Sequence, residues 1–191
     1  MNRSCFVMVG LLLLCGIASA AEAQEHDFAG TKMCKVCHNK AETGDQFGKW
    51  EAGPHAKAFK SLAKPEAKEA AAKLGIDDPQ KSPKCLKCHS TAYWHGETVK
   101  TTKIKVEEGV TCETCHGPGK DYMKKSIMED RQKSIEAGLL LPDKSLCVKC
   151  HNEQSPTWKA DRYTLADGTK VGFDFEQAAK KFAHPNPAKA K

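Results

Sequence analysis

Eight cysteines and four histidines are arranged to do one kind of chemistry. After residue 23 the cysteines fall into four pairs: Cys34-Lys35-Val36-Cys37-His38, Cys85-Leu86-Lys87-Cys88-His89, Cys112-Glu113-Thr114-Cys115-His116 and Cys147-Val148-Lys149-Cys150-His151. Each reads C-x-x-C-H, the attachment signature of c-type haem. Two cysteines three apart lie on the same side of a helical turn. Their sulfurs can reach the two vinyl groups of one porphyrin as thioethers, and the adjacent histidine can give a ring nitrogen to the iron. The other ring nitrogen then donates to a carbonyl or side chain, which fixes the plane of the imidazole. The pattern predicts four c-type haems with iron, tethered at Cys34, Cys37, Cys85, Cys88, Cys112, Cys115, Cys147 and Cys150. His38, His89, His116 and His151 are the proximal ligands. The two remaining cysteines, Cys5 and Cys15, lie near the N-terminus, so none is left over.

Other uses of C-x-x-C explain less. A structural zinc cage does not account for a histidine after every second cysteine. Four thioredoxin-type redox motifs or plain disulfides in so short a chain have no evident use. Four haems call for four sixth ligands, and four histidines remain. His55 follows Gly53-Pro54 at the start of an expected helix over 55–62. His184 closes a helical run over 175–183. His95 stands in Tyr93-Trp94-His95-Gly96 and reads equally as a ligand or a loop residue. His55, His184 and His95 are therefore the distal candidates, and His26 reads as a solvated residue at the start of the mature chain. Met123 and Met128 carry sulfur that iron accepts, although a helical methionine is more often a packing residue.

The elements that must position these groups are short and polar. The chain is 191 residues long, with 28% charged residues, and Leu, Ile and Val are sparse after residue 23. So polar a chain buries too little apolar surface to offset its entropy unless a bulky group fills the interior. Pro65 to Leu74 reads as a strong helix with proline in its first turn and Gly75 at its end. A second helix is expected over 126–137, stopped by Gly138, and each motif should hold one helical turn. No strand-rich segment is evident, and the spacings between motifs differ, so this is not a solenoid. The predicted fold class is mainly α with much irregular loop, a multihaem fold built around four closely packed haems.

Residues 1–23 read as a cleaved secretory signal peptide, with Arg3, an apolar run from Phe6 to Ile17, and the small-x-small patterns Ala18-Ser19-Ala20 and Ala21-Glu22-Ala23. The expected product is residues 24–191, periplasmic or otherwise exported and not an integral membrane protein. The formal net charge is +6, and removing Arg3 and Glu22 leaves it unchanged. Four haems would add roughly eight propionate charges, so the lysines do not point to nucleic acid. They fit propionate pairing or the docking of a redox partner.

The order of motifs resembles the tetrahaem cytochrome c-554 family, over about residues 28–186. The resemblance rests on Gly30-Thr31-Lys32-Met33 before the first motif, and on Trp50 and His55-Ala56-Lys57-Ala58 after it. It rests further on Gly109-Val110-Thr111 leading into Cys112–His116-Gly117-Pro118-Gly119, on Ser155-Pro156, and on the helix over 173–183 that ends at His184. Membership implies that His55 and His184 are distal ligands to haems whose proximal histidines lie elsewhere in the chain. The family also has a distal histidine shortly after Cys-His-Gly-Pro-Gly, where this chain reads Lys120 to Met128 without one, and one haem with no sixth ligand. At least one iron here is left with a methionine, with His95, or open. The functional expectation is a carrier passing single electrons between a redox protein donor and an acceptor, with a membrane quinone-linked enzyme as one such partner. The alternatives are a haem enzyme reducing nitric oxide or nitrite at an open distal position, and a module wiring a larger oxidoreductase to a quinol oxidase.

Overall fold

A computed structural model describes residues 26–96, 98–99 and 101–185, without the side chains of 94–96. The expected leader, residues 1–23, and the side chain of His95 lie outside the described residues. The described chain runs through α1 (Thr31–His38), α2 (Gln46–Ala52), α3 (Ala58–Ser61), α4 (Pro65–Lys73), α5 (Pro83–His89), α6 (Cys112–His116), α7 (Lys125–Met128), α8 (Arg131–Glu136), α9 (Lys144–Cys147) and α10 (Phe175–Phe182). Strands β1 (Tyr163–Thr164) and β2 (Lys170–Val171) form one antiparallel pair. The architecture is mainly helical with irregular connections, as the composition predicts. Among the described residues no helix is long and apolar enough to cross a membrane.

The longest described helix, α4, has nine residues. Helices this short are marginal in water on their own, so their order comes from contacts beyond the helix. Pro65 opens α4 and Gly75 follows it with φ 66°, a stop that glycine adopts freely. The helix expected over 126–137 is two helices. Asp130 leaves the helical region at φ −107°, ψ 110°, and its side chain accepts from the Lys133 N–H at 3.1 Å. An aspartate that can cap a new helix competes with continuing the old one. Ser134 Oγ then donates to the carbonyls of Ile127 and Asp130, tying α8 back to α7.

The helix expected from His55 begins only at Ala58. Pro54 to Lys57 form turns, with Lys57 N donating to Pro54 O and Ala58 N to His55 O, both at 3.1 Å. The C-terminal helix keeps its expected place. Asp174 caps it, accepting from Gln177 N at 2.9 Å, and it ends just before Ala183 and His184. The first three motifs lie in α1, α5 and α6. The fourth straddles the end of α9, and His151 N donates to Cys147 O at 3.0 Å to complete one more turn.

The apolar interior is thin. Phe28, Ala92 and Ile104 form its one buried cluster among the described residues, with Tyr93, Val99 and Val106 packed against it. Near the cysteine motifs large apolar side chains are left outside: Met33 and Val36 on α1 are 47% and 65% exposed, and Leu140 and Leu141 are 42% and 48% exposed. Apolar side chains at the first motif and just after α8 are thus left in contact with solvent.

Candidate functional site

The third motif is the most deeply built. The Glu113 side chain is fully buried, and its carboxylate accepts from three backbone N–H groups: Ala29 at 2.7 Å, Gly30 at 2.9 Å and Gly119 at 2.7 Å. The stretch Gly117-Pro118-Gly119 wraps around that carboxylate. Gly117 sits at φ 77°, and a Cβ there would meet Gly138 O at 2.6 Å. Only glycine accepts both the left-handed backbone and that approach. Tyr122 closes the wrap by donating to Gly117 O at 2.8 Å. On the other side of the motif, the hydroxyls of buried Thr91 and Thr111 and half-buried Thr114 form a chain.

His55 is placed by a different contact. Its carbonyl accepts from Val110 N at 3.0 Å, and the Trp50 indole donates to Val110 O at 2.8 Å. A Cβ on Gly109, at φ 74°, would meet His55 O at 2.8 Å. The turn before α3 is thereby docked on the segment entering the third motif, 54 positions later in sequence order than His55 itself if counted to Gly109.

Two pairs of imidazoles face each other. His55 and His151 have ring centroids 6.1 Å apart, and His116 and His184 have centroids 6.0 Å apart. Two imidazoles sharing one metal, with metal–nitrogen bonds of about 2 Å, hold their centroids about 6 Å apart. The ring hydrogen bonds free the right atoms. His184 Nδ1 donates to Phe182 O at 2.7 Å, His89 Nδ1 to Ala58 O at 2.8 Å and His116 Nδ1 to Leu140 O at 3.4 Å. His38 Nδ1 lies 3.4 Å from Gln46 Oε1. A carbonyl can only accept, so each of these donating rings carries its proton on Nδ1 and leaves the Nε2 lone pair for a metal. Burial, then the neighbouring His151, lowers the His55 pKa. Burial, then His184, lowers that of His116. Burial, then Arg162 and His89, lowers that of His151. Each shift favours the neutral imidazole that binds a metal.

The eight described cysteines form no disulfide, and cysteines of different motifs come together. A hydrogen bond between Cys34 and Cys112 lowers the first thiol and raises the second. A hydrogen bond with Cys150 likewise brings the Cys88 thiol down to about 7, while the Cys150 thiol is pushed up. Burial, then the nearby Cys147, pushes Cys115 up to about 11. The four motifs thus form one connected run, first against third, third near fourth, and fourth against second.

These residues fit haem. The imidazole spacing suits an iron between them, the cysteine pairs have thioether spacing, and the exposed apolar side chains flank the motifs. An open surface depression of about 550 Å³ lies beside His151, lined by Val148, Trp158, Gly172 and Phe173. The Phe173 ring stacks on His151 at 5.3 Å and 13°, and Phe182 lies 4.7 Å from His55, so both imidazoles are held by aromatic packing. Among the described residues no three His, Cys, Asp or Glu side chains converge as a protein-only metal cage would need.

Of the distal candidates, His55 and His184 are each brought against a motif histidine. His38 and His89 have no second imidazole at that spacing among the described residues. Met123 is 41% exposed, and Met128 is half-buried at the end of α7. His26 is not a solvated residue: its Nδ1 lies 2.8 Å from Asp121 Oδ2, and its side chain is only 18% exposed. The sequence reading passed over Glu113, although it is the one acidic residue between paired cysteines.

Residues 33–117, which carry the first three motifs, match the family model described as Cytochrome c554 and c-prime. Cytochrome c-554 of Nitrosomonas europaea is 29% identical over 206 aligned positions, covering 89% of this chain and 83% of the relative. No solved structure matches the chain. With its C-x-x-C-H pairs, the chain is similar to the cytochrome c-554 family, and the likeness supports a c-type cytochrome that carries electrons on covalently bound haem.

Proposed function

We propose that this protein is an exported tetrahaem carrier that moves single electrons between a redox protein donor and an acceptor, one of which is a membrane quinone-linked enzyme. The observation that carries the reading is the pair of imidazole couples at 6.0 and 6.1 Å, set within one connected run of four cysteine pairs. In this reading Cys34 and Cys37, Cys85 and Cys88, Cys112 and Cys115, and Cys147 and Cys150 tether the haems. His38, His89, His116 and His151 are the proximal ligands. His184 faces His116 and His55 faces His151 as distal ligands, and His95 stays a distal candidate. When bound, each haem supplies an iron that accepts or releases one electron. The chain's own part is to orient the imidazoles through Leu140 O, Phe182 O, Ala58 O and Phe173, to favour the neutral form of His55, His116 and His151 by burial, and to keep the tethering sulfurs adjacent. The N-terminal pattern through Ala23 supports export and cleavage, which suits a cofactor attached outside the cytoplasm.

The test is the purified native protein. Its mass should equal residues 24–191 plus four haems, and electron paramagnetic resonance of the oxidised form should show at least two low-spin bis-imidazole irons. A mass equal to bare polypeptide, or a spectrum with no bis-imidazole iron, would end the reading.

A second reading is favoured by the inequality between the motif histidines. His116 and His151 have imidazole partners, whereas His38 and His89 have none among the described residues. A haem held at one of those two positions with an open distal side could bind and reduce nitric oxide or nitrite. Rapid turnover of nitric oxide by the reduced protein, with a high-spin ferric signal, would favour this reading; a wholly six-coordinate low-spin spectrum would exclude it.

A further inference from the structure

Three of the four motifs carry an exposed or half-exposed lysine between their cysteines: Lys35, Lys87 and Lys149. The third carries Glu113, which is 0% exposed. Its carboxylate is met by three N–H dipoles, and among the described residues it forms no ion pair with a lysine, arginine or histidine. The N–H groups orient the carboxylate without cancelling its charge. A fixed anion in a low-dielectric interior acts strongly on any charge that changes nearby. Its reach is visible on its neighbours: burial, and next the Glu113 charge, push the Tyr122 phenol up.

We propose that Glu113 is a tuning residue that holds the reduction potential of the haem tethered at Cys112 and Cys115 below those of the haems at the other three motifs. The proposal rests on the tetrahaem reading above. The physical reason is direct. Ferric iron carries one more positive charge than ferrous iron, so a buried anion beside the site favours the ferric state and resists the incoming electron. The lysines at the other motifs have the opposite sign, and their solvent contact screens them. Glu113 also lies close to Cys34, whose thiol feels its charge, so the haem at Cys34 and Cys37 should feel a weaker effect of the same sign.

The test is a potentiometric titration followed by electron paramagnetic resonance on the holoprotein. The low-spin signal lost in a His184→Ala variant identifies the haem between His116 and His184. In Glu113→Gln, which removes the charge at nearly constant shape, the midpoint of that signal should rise by at least tenfold in its one-electron equilibrium, about 59 mV. Glu113→Asp, which keeps a carboxylate, should restore most of the potential even where it loses thermal stability. An unchanged midpoint in Glu113→Gln with all four haems present would overturn the proposal. So would equal shifts in the Gln and Asp variants. If Glu113→Gln fails to load haem, the unaltered protein decides. There the identified signal should be the last of the four to be reduced, and its earlier reduction would overturn the proposal. A wild-type mass with fewer than four haems would overturn the tetrahaem reading itself, and would be seen before any potential is measured.

Discussion

The third and fourth motifs are held by different means. Around the third, the polypeptide supplies its own scaffold: a buried carboxylate with three N–H donors, a tyrosine hydroxyl on Gly117 O, and a chain of threonine hydroxyls. Around the fourth, the helix ends at Cys147, and His151 borders an open surface depression with aromatic rings for neighbours. One region is tied by backbone hydrogen bonds across long stretches of chain. The other is tied by ring packing around the space a cofactor would take. The same five-residue signature can therefore sit in a pre-formed or a cofactor-dependent setting, and the flanking residues decide which.

The largest test of this contrast is to remove one pair of tethers at a time. Cys147→Ser with Cys150→Ser should lose one haem by mass and leave residues 151–173 unprotected in hydrogen exchange. Cys112→Ser with Cys115→Ser should also lose one haem yet keep the N–H groups of Ala29, Gly30 and Gly119 protected. Equal loss of protection in both would erase the distinction. Next is Glu113→Ala, which strands three buried N–H donors at about 1–3 kcal/mol each. A fall in unfolding free energy of about 3 kcal/mol or more is expected in denaturant titration, and a loss under about 1 kcal/mol would mean that water or a shifted backbone replaces the carboxylate.

How much of this was legible beforehand depends on the range of the interaction. The cysteine pairs and their histidines stand out in the sequence because the C-x-x-C-H signature is confined to five consecutive residues. Helix α4 was readable because Pro65, the alanines and Gly75 act locally. The break at Asp130 was also local, but capping there competes with the helical pattern running across it, and only the structure resolves the contest. The start of α3 was misplaced because His55 is held by Gly109 and Val110, and no local signal announces that contact. Glu113 and His26 were opaque for the same reason: their partners lie 83, 84 and 95 positions away. The leader and the His95 side chain fall outside the described residues, so those expectations stand as they were.

Two smaller tests sharpen the contrast. Gly117→Ala forces a Cβ against Gly138 O in a left-handed backbone and should cost about 1–3 kcal/mol of stability, measured as a lower denaturation midpoint. Its haem count should stay unchanged. Phe173→Leu removes the ring stacked on His151 and should cost only about 0.5–1.5 kcal/mol. It should nevertheless shift the resonance of the iron bound by His151, because that imidazole loses the wall fixing its rotation. A shift confined to some other iron would show that Phe173 does not set the orientation of His151.

The hydrogen bonds from Ala29 and Gly30 to Glu113 close a loop across 84 and 83 positions. The closure encloses α1 through α5 and therefore both earlier cysteine pairs. A chain made from its N-terminus cannot close this loop until Glu113 has emerged, so the first two motifs spend their early life on an open strand. Closing so long a loop is entropically slow and rewards the chain only at the end. The topology thus sets an order: the first two cysteine pairs are accessible before the fold draws shut around them.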